Sequence, residues 1–206
     1  MYIPKFFNVT NAEEIQDFVQ ENSFATIVTT DQGKPIATHV PVQLRKEGDN
    51  YFLTGHIAVG NPQWETFENC KDVLIMFQGP HAYISSSWYE KENVPTWNYQ
   101  AVHMYGSACI LDGEELARDL AMLLQKYENH RSNPVLWDKL SPGLLKNQIK
   151  GIIGFKITVK EIQAAYKLSQ NRTDEDYQNI IKNLYKENDH NAEQMAQVME
   201  KNQFKG

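Results

Sequence analysis

The chain is poor in several things, and each shortage narrows what it can be. Cysteine occurs only twice in 206 residues, at Cys70 and Cys109, without metal-ligand spacing or a disulfide framework. A stapled secreted module and a cysteine-built zinc domain are therefore unsupported. No apolar run approaches the ~20 residues of a membrane-crossing helix, and MYIPKFFNVT lacks the basic stretch and apolar core of an export signal. A reduced cytoplasm, with no membrane contact, is the expected setting. Positive charge is in deficit, with 20 Lys and Arg against 26 Asp and Glu, a net charge of -6 and a pI near 5.5. That balance argues against a broad nucleic-acid-binding face and leaves room only for a local basic patch. Neither G-x-G-x-x-G nor G-x-x-x-x-G-K-[ST] occurs, so Rossmann and P-loop sites drop out. G-x-S-x-G is absent too, which leaves Ser85, Ser86 and Ser87 without a nucleophile's context and no catalytic residue nominated.

What the chain does have is concentrated between residues 51 and 106. In GHIAVGNPQW (55–64) a strand-like run ending in Gly-His passes into a segment that Asn61 and Pro62 mark as a helix start. Free N–H groups at such a start attract anions. FQGPHAYISSSWY (77–89) and PTWNYQAVHMYG (95–106) add rings, hydroxyls and amides with few carboxylates. This mixture suits a flat, polar-edged, negatively charged ligand.

Taken in order, Thr10-Asn11-Ala12-Glu13 has capping-box spacing and opens a short helix. SFATIVTT and PIATHVPVQL flank the turn DQGK as a hairpin, and residues 51–54 form a third strand. A helix is expected from about Asn61 to Glu68. Val73–Phe77 reads as a strand buried on both faces, with His81–Ile84 and residues 96–111 as further strands. Asp112 and Glu115 form a second capping box, followed by Leu116, Leu120, Leu123, Leu124 and Tyr127 on one helical face. A Pro-punctuated segment (132–148) precedes the alternating Ile153, Phe155, Ile157 and Val159, and two helical pieces end the chain. Short antiparallel strands followed by helices imply an α+β, mainly β domain closed as a barrel or sandwich. The expected division is residues 1–168 as that domain and 169–206 as a C-terminal helical extension.

His56 and Asn61 could both donate to phosphate oxygens, although a locally bonded imidazole and a plain cap explain them as well. His39 reads first as a structural strand histidine, and Trp97, Asn98 and Tyr99 as core. His39, His56, His81 and His103 have no metal-ligand spacing, so no metal is expected.

Together MYIPKFF, SFATIVTTDQGKPIATHVP, GHIAVGNPQW, FQGPHAYISSSWY, VPTWNYQAVHMYG and KLSQNR make the chain similar to the PaiB-type FMN-binding proteins, described as negative transcriptional regulators of protease synthesis and sporulation in bacilli. The resemblance covers Met1 to about Leu184. It implies a split β-barrel of the pyridoxamine-phosphate-oxidase-like kind with peripheral helices, a homodimer, and FMN at the dimer interface. It nominates His39, His56, Asn61, Gln63 and Trp64 on the hinge side, Phe77, Gln78, Gly79, Trp97, Asn98 and Tyr99 on later strands, and Lys167, Gln170 and Asn171 from the second protomer. The family's hinge carries a cation where this chain has Val59, which removes a charge-assisted bond worth about 1.5–3 kcal/mol in a dry site. Direct DNA binding has no helix-turn-helix signature behind it. An FMN-dependent oxidoreductase and a haem-binding protein on the same barrel are the alternatives.

Overall fold

The alternating apolar runs become six strands: β1 (Phe24–Asp31), β2 (Lys34–Glu47), β3 (Asn50–Ala58), β4 (Val73–Ile84), β5 (Thr96–Ile110) and β6 (Ile152–Lys167). In the computed structural model, which describes residues 1–203, they hydrogen-bond in the order β1-β2-β3-β6-β5-β4 and close into a barrel with antiparallel pairing. The expected split barrel is thus the observed fold. Helices α1 (Ala12–Glu21), α2 (Gly113–Glu128), α3 (Pro142–Ile149), α4 (Asp174–Leu184) and α5 (His190–Gln203) accompany it. Among the described residues no helix is long and apolar enough to cross a membrane.

The chain forms two compact units. A hairpin unit comprises Val19–Phe77 and Met104–Ile162, and a terminal unit comprises Met1–Phe18, Gln78–His103 and the chain from Gln163.

In the hairpin unit β1 turns into β2 through Gln32 and Gly33, at φ 47° and 84°, and Asp31 pairs with Lys34. Two positive-φ residues match the right-handed twist of the strands they join. Ile27, Leu53, Ile75, Phe155 and Ile157 form the shut core, with Phe67 set edge-on to Phe155 at 5.3 Å between centroids. On β5 a Cβ added to Gly106 would lie 2.1 Å from the Thr158 carbonyl oxygen of β6, so the two backbones pass where no side chain fits. The second capping box forms as read: Asp112 accepts from Glu114 and Glu115 N–H, and Glu115 accepts from Asp112 N–H. Helix α3, read in the sequence only as a punctuated segment, is capped by Ser141 with Pro142 in its first turn.

In the terminal unit Phe18 packs on Tyr166 at 5.3 Å, and Tyr177, Ile180, Ile181 and Leu184 of α4 are buried, as are Ala192, Met195 and Met199 of α5. The last three residues of the expected C-terminal extension lie outside those described.

Three local expectations need correction. The α1 cap is Asn11, whose Oδ1 accepts from Glu14 N–H at 2.9 Å, one residue later than Thr10. The expected helix from Asn61 is a 3-10 turn, Pro62–Thr66. The strands expected at Val73–Phe77 and His81–Ile84 are one strand, and its first half alternates buried and half-buried residues instead of being covered on both faces. Gly79-Pro80 lies within that strand, and a Cβ at Gly79 would meet the Phe18 ring at 2.6 Å: the glycine makes room for a helix side chain.

Candidate functional site

The hinge is a closed polar network. Asn61 Oδ1 accepts from the Gln63 N–H at 3.0 Å while its Nδ2 donates to the Thr38 hydroxyl at 2.8 Å, and that hydroxyl donates to Gln63 Oε1. Gln63 is 2% exposed, and its Nε2 lies 3.2 Å from the Ile27 carbonyl, the Thr29 hydroxyl and the Ile36 carbonyl. Trp64 Nε1 donates to the Val59 carbonyl at 3.1 Å. His39, exposed, exchanges a 2.9 Å bond with Thr26 and stacks on Phe24. Every amide that the sequence offered to an anion here clips the turn to β1 and β2. The five-residue turn is also too short to build a useful dipole.

His56 stands apart from that network. It follows Thr54 by two residues and so shares its face of β3, the face on which the Thr54 hydroxyl donates to Asp119 of α2. There it lines a pocket of about 320 Å³ with leucines of α2 and α3. Its Nδ1 is buried without a partner, and burial pushes its pKa below the ordinary 6.5, the nearby Asp119 charge opposing. Asp119 itself is 1% exposed and takes Gln43 at 2.8 Å and Arg45 at 2.7 Å on Oδ1, while Oδ2 has no partner. Phe77, also nominated, is core, at 1% exposure.

The terminal unit presents the opposite arrangement. Trp97 is 53% exposed, with His81 at 6.3 Å and the exposed Tyr83 edge-on at 5.9 Å. Gln78, exposed, reaches His81 Nδ1 at 3.3 Å. Lys167 donates to the hydroxyl of Thr96, the residue before Trp97. Burial first, and the neighbouring Arg172 second, hold its ammonium below the usual lysine range. The Arg172 guanidinium lies over the Tyr89 ring at 4.6 Å. Among the described residues neither cation forms an ion pair.

Among the remaining nominees Asn98 and Gln170 have structural bonds. Asn98, fully buried, donates to Ser169 Oγ at 3.0 Å and to the Met199 sulfur at 3.4 Å. Gln170 accepts from Leu168 N–H and donates to the Tyr166 carbonyl, closing the turn in which Ser169 takes φ 63°. Tyr99 is half-buried and Asn171 exposed. Reading the sequence passed over Tyr83 and Arg172 as site residues. Period-two alternation along β4 puts Tyr83 on the face of His81, and that signal was there to be read. Exposed rings and two cations that form no ion pair among the described residues fit a flat anion such as a flavin phosphate ester. Among the described residues no three His, Cys, Asp or Glu side chains gather as a metal site.

Set against known proteins, residues 1–161 match the family described as "Putative FMN-binding domain". Over 200 residues the chain is 68% identical to "Protease synthase and sporulation protein PAI 2" of Bacillus subtilis, covering 97% of each protein. Two solved structures share its fold at low identity. The flavocytochrome Anf3 from Azotobacter vinelandii superposes with a TM-score of 0.62 at 15% identity, covering 86% of this chain and 78% of that one. The FAD and heme binding protein from Mycobacterium smegmatis gives 0.59 at 14%, covering 82% and 78%.

Proposed function

The chain belongs to this FMN-binding-domain family, and on that premise we propose that it is a cytoplasmic, flavin-binding homodimer that restrains protease synthesis and sporulation by answering to a bound ligand or protein partner. The printed name of the Bacillus subtilis relative, at 68% identity across nearly the whole of both chains, supports the regulatory part. The flavin part rests on one observation: among the described residues Lys167 and Arg172 form no ion pair, in the unit where Trp97 is half exposed beside His81 and Tyr83.

In this reading Lys167 and Arg172 hold the phosphate, Trp97 lies against the ring system, and Gln78 and Asn171 bond to polar edges. A second copy covers the exposed rings. His39, Asn61, Gln63, Trp64, Gly79, Asn98 and Gln170 keep the frame, through the bonds and packing described above. FMN, when bound, supplies reversible two-electron chemistry. Loss of the hinge cation at Val59 makes the two terminal-unit cations the main source of phosphate affinity.

Purified protein titrated with FMN should show a perturbed flavin spectrum and saturable binding, and a mass near twice 23.8 kDa in light scattering. A protein that neither carries nor takes up flavin overturns the flavin part, and a Soret band instead would reassign the fold to haem. Promoter DNA in a gel shift tests direct repression, with retention lost on modest added salt counting as non-specific.

A further inference from the structure

The hairpin unit holds a second opening that none of the flavin contacts uses. It measures about 320 Å³ and is lined by Leu120, Leu123 and Leu124 of α2, by Trp137, and by His56 and Gln148 as its imidazole and amide. The three α2 leucines are only half-buried, and Leu144 on the facing α3 is 45% exposed, while Leu53 and Phe67 in the same unit are sealed at 0%. Hydrocarbon left open beside a closed core is surface that an apolar guest would cover.

The size sets the guest. An engineered apolar cavity of ~150 Å³ takes a benzene, so twice that volume suits a fused two-ring molecule. Charge sets its head group. The leucine lining strips water from a carboxylate, a sulfonate or an ammonium alike, and Asp119, already paired to Arg45, compensates neither sign. A neutral molecule remains. His56 is held in its neutral form by burial and so offers a ring nitrogen to a hydroxyl.

We infer that this pocket binds a small neutral aromatic of about two rings bearing one hydroxyl, its rings among the α2 leucines beside Trp137 and its hydroxyl on His56. The site shares no residue with the proposed flavin contacts and stands whether or not flavin binds.

The test is equilibrium dialysis of the full chain with 2-naphthol, naphthalene and 2-naphthoate. One 2-naphthol should bind per chain, at least about tenfold tighter than naphthalene, the factor of one buried hydrogen bond, and tighter than the naphthoate. In His56→Leu the preference for naphthol over naphthalene should disappear, and Leu123→Trp should weaken both at least about tenfold by filling the space. Independently of any variant, nuclear Overhauser contacts from the ring protons should reach the methyls of Leu123 and Leu124, and saturating FMN should leave 2-naphthol bound. Absence of saturable 2-naphthol binding, a preference that survives in His56→Leu, tighter binding of naphthoate, contacts only elsewhere, or displacement by FMN would each overturn the assignment.

Discussion

The hinge at residues 55–64 and the Trp97 cluster draw on a similar stock of amides, imidazoles and indoles, yet they end in opposite conditions. At the hinge Asn61, Gln63 and Trp64 all have protein partners. Around Trp97 the rings are open, and among the described residues Lys167 and Arg172 form no ion pair. A polar side chain with every bond made inside the fold holds the frame, and one without them can still act on a ligand. Motif density alone does not separate the two.

The largest effect that would test this contrast is at Gln63. Gln63→Ala leaves the Ile27 and Ile36 carbonyls and the Thr38 hydroxyl without that partner and opens a small void, so urea unfolding should show a loss of about 2–4 kcal/mol. Flavin affinity of the folded protein should stay within about twofold. Strong loss of affinity with stability intact would invert the contrast. Next comes Lys167→Met, which keeps the apolar stem: fluorescence titration should show flavin binding weakened about tenfold, with stability changed by less than about 0.5 kcal/mol. Trp97→Ala should cost about threefold to tenfold in flavin affinity, as expected for one stacked ring, and again leave the unfolding midpoint in place.

The smallest effect is at His56. Its folded pKa lies below its ordinary value of 6.5, so the unfolded chain takes the proton more readily. The associated stability is present above that ordinary value and is lost as the pH falls through the lower folded one. A pH series of unfolding curves should therefore be flatter on the acid side for His56→Leu than for the parent.

How much could be read in advance follows the distance over which each cause acts. The β1–β2 turn and the α2 capping box were legible because their determinants, Gln32-Gly33 and Asp112 with Glu115, lie within four residues. Continuity of β4 was not, since Gly79-Pro80 reads locally as a turn while the glycine makes room for Phe18, far away in the chain. Helix α3 was not read, although Ser141 caps it and Pro142 opens it, because its eight residues carry too few apolar positions to show a period. Asn61, Gln63 and Asn98 were nominated through the resemblance, and a sequence lists donors and acceptors without saying which are already bonded. Only the bonding around each side chain distinguishes scaffold from open surface.

Gly106 carries one more implication. With the Thr158 carbonyl oxygen 2.1 Å from where a methyl would sit, neither backbone can yield without breaking the barrel's own ladder. A codon library randomised at that position and selected for folded protein should return glycine, which makes the crossing of β5 and β6 a point where the sequence has little freedom to drift.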